Sequence, residues 1–293
     1  MGRRKPATTH GVTVVDKPSG MTSHDVVAVL RRRLAERQIG HAGTLDPDAT
    51  GVLVVGVGMA TRLLRFVVES RKRYAGDVVL GTETSTLDAG GEVTAVHDMG
   101  GVGVDDARRI VGEHLTGNIL QVPPMVSALK VGGRRLHELA REGIEVERVP
   151  RPVTVFRFDV TEGPAPGVLS IEVECSSGTY IRSLAAELGR LLGGGAHLRN
   201  LRRTAVGSFT LDEAATPDTC ELLPVAAAVR SLAPVVVGDD VAALVANGRV
   251  LEAWAGPGPW AVFDDGGNLL AVYEPYRAHE AKPSVVLPAV AGG

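Results

Sequence analysis

Residues 40–51 read Gly-His-Ala-Gly-Thr-Leu-Asp-Pro-Asp-Ala-Thr-Gly, and no other stretch restricts the chain as much. Pro47 fixes its own φ and biases Asp46 away from the helical region, while Gly40, Gly43 and Gly51 allow bends that other residues resist. The segment reads as a loop between a basic helical run at 29–37 and an apolar strand-like run at 52–55. It carries His41, Asp46 and Asp48. Two readings of the local pattern stand side by side: a carboxylate presented to a partner, or an Asp-Pro turn that starts an element.

The flanking pattern predicts short strands and helices in mixed order. A strand at 11–16 leads through Lys17-Pro18-Ser19-Gly20 to a helix capped by Thr22 or Ser23, with Val26, Val27, Leu30 and Leu34 at helical spacing. A buried strand at 51–57 and a helix at 59–66 follow. Residues 72–80 alternate as a strand does, with Tyr74, Gly76, Val78 and Leu80 on one face, and 105–115 is an amphipathic helix. Segment 122–148 differs. It opens on Pro123-Pro124, includes Gly132-Gly133, and carries Lys130, Arg134, Arg135, His137 and Arg141. It reads as a mobile excursion from the core with a short helix around 136–141. Strands return at 152–160 and 169–175, and Ser176-Ser177-Gly178-Thr179 turns into a helix at 180–191 ended by Gly193-Gly194-Gly195. A mixed helical linker at 216–234 precedes short strands at 260–263 and 269–273. That last unit is too small for much core of its own unless it closes or docks.

Charge is uneven. The net of −3 conceals thirteen Lys/Arg against six Asp/Glu in residues 1–74, and five arginines against one acid in 178–203. Two basic clusters on an acidic body suit a polyanion on one face, although any single arginine reads equally well as a solvated helix face. Cys175 and Cys220 can form at most one disulfide and lie outside metal-ligand spacing, which fits a reducing cytosol. The first ten residues are basic without an apolar run behind them, and no segment approaches a bilayer span. A cytoplasmic location is expected, with no membrane partner.

Some classes drop out. Residues 52–60 resemble the start of a dinucleotide fingerprint, but Thr61 stands where its third glycine or alanine belongs, and Glu69 is too close to bind a ribose. The G-x-x-x-x-G-K phosphate loop is absent, and no His/Cys/Asp cluster has zinc geometry. No metal and no cofactor are expected.

Separated blocks then occur in one order. They are 15–24 (Val-Asp-Lys-Pro-Ser-Gly, then Thr22-Ser23-His24), 40–51, Lys72-Arg73-Tyr74, Gln121-Val122-Pro123-Pro124 with Ser127-Ala128 and Lys130, and 175–182 (Cys-Ser-Ser-Gly-Thr-Tyr-Ile-Arg). His197-Leu198 and Leu201-Arg202-Arg203 close the series. Across nearly its whole length the chain resembles the bacterial tRNA pseudouridine-55 synthases, the TruB-type enzymes. The resemblance implies an α+β fold: a curved, mostly antiparallel mixed sheet flanked by helices, with a small C-terminal PUA-like β domain. The implied divisions are a disordered basic tail at 1–10, a catalytic domain at 11–231 and the β domain at 232–293, of which 243–275 looks like a short, divergent version.

The resemblance also implies the chemistry. The substrate is the T-arm stem-loop of tRNA, and the uridine at position 55 is flipped from its stack and isomerised. Asp46 matches the essential aspartate, Arg182 the residue that pairs with it, and Tyr74 the tyrosine that stacks on the base. His41 matches the histidine that occupies vacated space after flipping. Tyr180 and Leu198 match positions lining the uracil pocket. Lys17, Lys130, Arg202 and Arg203 are assigned to structural support or phosphate contacts. Asp48 is expected to face solvent or cap a helix. An obligate protein partner is not expected, and one asymmetric RNA footprint favours a monomer. A tRNA-binding or folding factor with secondary or no catalysis is the competing reading.

Overall fold

The computed structural model describes residues 7–127 and 129–288, without the side chains of residues 130, 135 and 137. The chain opens on β1 (Gly11–Lys17) and turns into α1 (Ser23–Arg33). Thr22 caps that helix reciprocally: its Oγ1 accepts from Asp25 N at 3.1 Å, and Asp25 Oδ2 accepts from Thr22 N at 2.8 Å. Val26, Val27 and Leu30 bury the expected stripe. After β2 (Ile39–His41) comes β3 (Thr50–Val57), buried at every residue but Thr50, as an unbroken apolar run should be when both faces are covered. The helix expected at 59–66 is split into a 3₁₀ turn, Gly58–Arg62, and α2 (Leu64–Val68). Leu63 N bonds to Ala60 O three residues back, the tighter spacing of a 3₁₀ turn.

β4 (Lys72–Leu80) has the bounds expected of it. The hairpin of β5 (Thr82–Thr84) and β6 (Val93–Val96), then α3 (Val104–His114) and β7 (Gly117–Gln121), lead to the excursion. There β8 (Lys130–Val131) and β9 (Arg134–Arg135) meet over Gly132 and Gly133, both at positive φ as a type I′ turn demands. The short helix follows as α4 (Leu136–Arg141). β10 (Arg151–Glu162), β11 (Val168–Cys175), α5 (Ile181–Leu191), β12 (Ala196–Val206) and β13 (Phe209–Thr210) complete the body.

The main sheet runs β1-β3-β12-β4-β11-β10-β7, with β2 beside β3 and β13 beside β12. β12 is parallel to β3 and antiparallel to β4, and the remaining pairs are antiparallel. The expected α+β fold with a mostly antiparallel mixed sheet is borne out. The sequence pattern conceals β12, because Arg199, Asn200, Arg202 and Arg203 interrupt its apolar residues. It nevertheless occupies the centre, and its register slips between Arg199 and Arg202 and again between Arg203 and Ala205. Such bulges re-aim side chains next to functional clefts. On one face α3 and α5 bury Ile110, Val111, Leu184 and Leu188 against Val78, Val160, Ile171 and Val173. α1 covers Val15, Leu53 and Val55 at the β1–β3 end of the sheet.

The C-terminal strands are β14 (Ala233–Val237), β15 (Leu251–Glu252), β16 (Trp260–Asp264), β17 (Leu269–Pro275) and β18 (Glu280–Val286), and α6 (Asp239–Ala246) lies after β14. They order as β14-β16-β17-β18-β15. Trp260, Tyr273, Val245 and Val262 make a core, and Ala261, Val272, Val285 and Leu287 pack with Leu63, Leu64 and Val67 of the body. The unit docks, as its size requires. It is wider than 243–275, since β14, α6 and β18 carry no pattern that stands out in the sequence. Of the basic decapeptide expected to lack order, residues 1–6 lie outside the described residues. Its end is attached: Thr8 N donates to Glu36 Oε2 at 3.0 Å, and His10 Nδ1 accepts from Met59 N at 3.2 Å. No helix among the described residues is long and apolar enough to cross a membrane.

Candidate active site

The loop between β2 and β3 is fixed from below by buried groups. Lys17 Nζ donates to Pro47 O at 2.9 Å, Met21 O at 2.6 Å and Pro18 O at 2.9 Å, and the residue is fully buried. Arg203 donates from Nε to Val52 O at 2.7 Å, from Nη2 to Gly43 O at 3.0 Å and from Nη1 to Thr44 O at 3.4 Å. Ser23 Oγ accepts from Leu45 N at 2.9 Å. Gly51 sits at φ +102°, and a Cβ there would lie 2.2 Å from Arg203 O, so only glycine lets β3 meet β12.

Asp46 emerges from this clamp. Its Oδ2 lies 3.0 Å from Arg182 Nη2, at the start of α5, and the Arg182 side chain is only 5% exposed. The guanidinium also donates to Thr86 O at 2.9 Å and Val126 O at 2.8 Å, and its Nη1 lies 3.4 Å from Asp88 Oδ2. Asp88 is itself fixed, accepting from Thr86 Oγ1 at 2.5 Å and Gly90 N at 3.1 Å. Arg182 is thus held by two carboxylates and two carbonyls in one orientation. Burial in the cleft pushes the Asp46 carboxyl above its ordinary 3.8, with Asp88 adding to the rise while Arg182 and Lys17 oppose it. The side chain keeps 43% exposure on the side facing the cavity. Asp48 is exposed, as expected, so the like charge that acts on Asp46 is Asp88.

A cavity of about 260 Å³ opens beside this pair. Asp46, Tyr74, Tyr180 and Arg182 line it together, with Lys72, Ile181, Leu201 and Arg203 on its walls. Tyr74 faces Arg203 across the β4–β12 register. Burial raises its hydroxyl above 10, against the pull of Arg203, so it is neutral at pH 7. Gln121 ties the mouth of α5 to β7, donating to Tyr180 O at 3.0 Å and accepting from Tyr180 N at 2.8 Å. A second cavity, of about 420 Å³, lies across the Asp46–Arg182 pair and is lined by Asp88, Leu198, Arg199 and Leu201.

Several expected roles shift. Leu198 does not line the first cavity. It is 1% exposed in the core under α5 and borders the second cavity instead. The bulge between Arg199 and Arg202 breaks the strand's alternation, so Leu201 and Ile181 supply the apolar wall. Lys17 and Arg203 are buried and donate to loop carbonyls, the structural support that was one of the two roles assigned to them. Arg202 grips Asp16 with both nitrogens, at 3.0 and 2.8 Å, and bridges β12 to β1. Lys130 lies on β8 opposite Arg135, and its side chain is outside the described ones. His41 lines neither cavity. Its ring meets His24 edge-on at 5.5 Å, and burial, then His24 and Arg203, lower its pKa below 6.5. Sequence reasoning gave no role to Asp88, Lys72, Ile181 or Leu201. Lys72, Ile181 and Leu201 stood in the quoted blocks, whereas Asp88 carries no periodic or spacing signal. Among the described residues no group of three or more His, Cys, Asp or Glu is placed to hold a metal.

Residues 31–181 match the family description "TruB family pseudouridylate synthase (N terminal domain)", and 182–231 match "tRNA pseudouridylate synthase B C-terminal domain". The chain is 45% identical over 295 residues to the tRNA pseudouridine synthase B of an Arthrobacter species, covering 94% of this chain and 96% of that one. It is 46% identical over 301 residues to that of Rhodococcus jostii, covering 98% of each. Among solved structures it resembles an H/ACA RNP bound to a substrate RNA containing 2′-deoxyuridine, at 26% identity and TM-score 0.67, over 90% of this chain and 77% of that one.

Proposed function

The chain belongs to the TruB family of pseudouridylate synthases, and on that premise we propose that it isomerises the T-loop uridine at position 55 of tRNA, with Asp46 as the nucleophile. The observation that carries this reading is Asp46 held 3.0 Å from a buried Arg182 on the wall of a cavity that Tyr74 also lines. The substrate is the T-arm stem-loop, and its target base leaves the stack to enter the cavity, at a cost of about a few kcal/mol. We assign 11–231 as the catalytic domain and 232–293 as a PUA-like domain docked on it.

In the reaction the bond from ribose C1′ to uracil N1 breaks, the base turns, and C1′ joins C5. The C5 proton is lost and N1 gains one, so the product is an isomer. Asp46 acts as an ionised carboxylate, at the sugar or at the ring. Arg182 favours that charged form and fixes its direction, offsetting part of the burial that opposes it. Tyr74, neutral at pH 7, packs on the base and is placed to move a proton. The excursion at 122–148 bears Val126, whose carbonyl touches Arg182, so its closure over the RNA and the orientation of Arg182 are coupled.

The test is site mapping. Unmodified tRNA transcripts are incubated with the protein and each uridine is read by mass spectrometry after nuclease digestion. Conversion confined to position 55 supports the proposal. Conversion elsewhere, or a protein that only improves tRNA folding, overturns it.

A further inference from the structure

Two buried cations on one wall of the cavity are left unused by the chemistry above. Lys72 is 5% exposed and Arg203 is 1% exposed, and neither has a carboxylate partner among the described residues. A side chain placed on Gly43 would lie 3.6 Å from both Lys72 Cε and Arg203 Nη1, so the loop backbone passes over the pair. Arg203 spends its donors on Val52, Gly43 and Thr44 carbonyls. Lys72 Nζ spends two, on Val68 O at 2.7 Å and Ser70 O at 3.0 Å, at the end of α2. Its third N–H has no acceptor among the described residues, and Lys72 lines the cavity.

Holding a cation away from water without a counter-charge is costly. A lysine needed only to close the end of α2 has no reason to bear that cost on a cavity wall. We propose that Lys72 is the anion-stabilising group of the site, its third N–H donating to a carbonyl oxygen of the extruded uracil, with Arg203 adding positive potential behind it. The inference rests on the uridine isomerisation proposed above. As C1′–N1 breaks, its electron pair stays on the uracil ring and spreads to the ring oxygens. As C1′–C5 forms, that charge is returned to the new bond, and the C5 proton leaves. A fixed donor in a dry pocket gains strength in step with charge that exists only between those events. Lys72 does not move a proton; it has to remain charged.

Its environment makes that condition measurable. Burial, with Arg203 from β12 adding to it, lowers the Lys72 pKa to about 8, and Cys175 faces Lys72 in the β4–β11 register. Cys175 titrates at about 11 and Tyr74 above 10, so neither changes charge near pH 8. The ammonium is present below pH 8 and is lost as pH rises through it.

The test uses the full chain and a T-arm transcript under single-turnover conditions from pH 6 to 10, with tRNA affinity measured in parallel. The wild-type rate should fall above about pH 8. Lys72→Met should be about 100-fold slower at pH 7, flat across the alkaline range, and within about threefold of wild type in tRNA affinity. Lys72→Arg keeps a charge that does not titrate, so its rate should lack the alkaline fall; it decides the matter if the methionine variant does not fold. A Lys72→Met rate within about threefold of wild type, or an alkaline fall that persists in either variant, overturns the inference while leaving the activity intact. A wild-type protein that converts no uridine overturns the functional reading, and this inference with it.

Discussion

Lys17→Met separates support of the loop from contact with RNA. The ammonium is fully buried and donates to three carbonyls, of which Pro47 O adjoins Asp46. Leaving a buried carbonyl unpaired costs about 1–3 kcal/mol. Replacing the ammonium with an apolar chain relieves part of its own desolvation, which already lowers the Lys17 pKa. The net loss is then about 3 kcal/mol. At about 2–4 °C per kcal/mol for a chain of this size, melting falls by roughly 6–12 °C. Single-turnover rate drops because Asp46 loses its fixed approach to Arg182. Affinity for tRNA is measured against salt: a lost phosphate contact lowers the slope of log affinity by about one, whereas support of the loop leaves it unchanged. A slope reduced by one with melting unchanged would refute the reasoning.

The Asp46 carboxyl titrates above its ordinary value, so activity should be full well above it and decline as pH falls through it; Asp88→Asn removes one upward push and moves that acid limb to lower pH. Because the charged form is disfavoured by folding, Asp46→Asn should cost no stability at pH 7, checked by urea unfolding. Leu198→Ala should cost about 2–4 kcal/mol with a nearly normal rate, and Leu201→Ala should slow turnover at little cost in stability. Gly51→Ala should destabilise by about 3 kcal/mol or more, since both φ and the Arg203 carbonyl refuse a Cβ, and soluble yield reports it.

Local chemistry was legible wherever one element decides it. The helix cap at Thr22, the alternation of 72–80 and the apolar run of β3 are all local signals, and the structure has them where expected. What escaped notice depends on tertiary placement. β12 is central yet reads as a basic, interrupted segment, because the partners of its arginines lie far away in sequence: Arg202 pairs with Asp16, and Arg203, still charged, donates to loop carbonyls. The bulge at Asn200, with φ +55°, exchanges Leu201 for Leu198 at the cavity, and alternation alone cannot foresee that. Asp88 reaches Arg182 from a loop whose sequence carries no periodic pattern. Lys17 and Arg203 look like surface charges until burial shows them holding carbonyls.

The role of Asp46 is tested most directly by single-turnover conversion of uridine 55 in an unmodified tRNA transcript, comparing wild type with Asp46→Asn at matched tRNA occupancy. The account predicts conversion by the wild type, and a variant that binds tRNA with similar affinity yet forms no pseudouridine. Pseudouridine formed by Asp46→Asn at a rate near that of the wild type would contradict it.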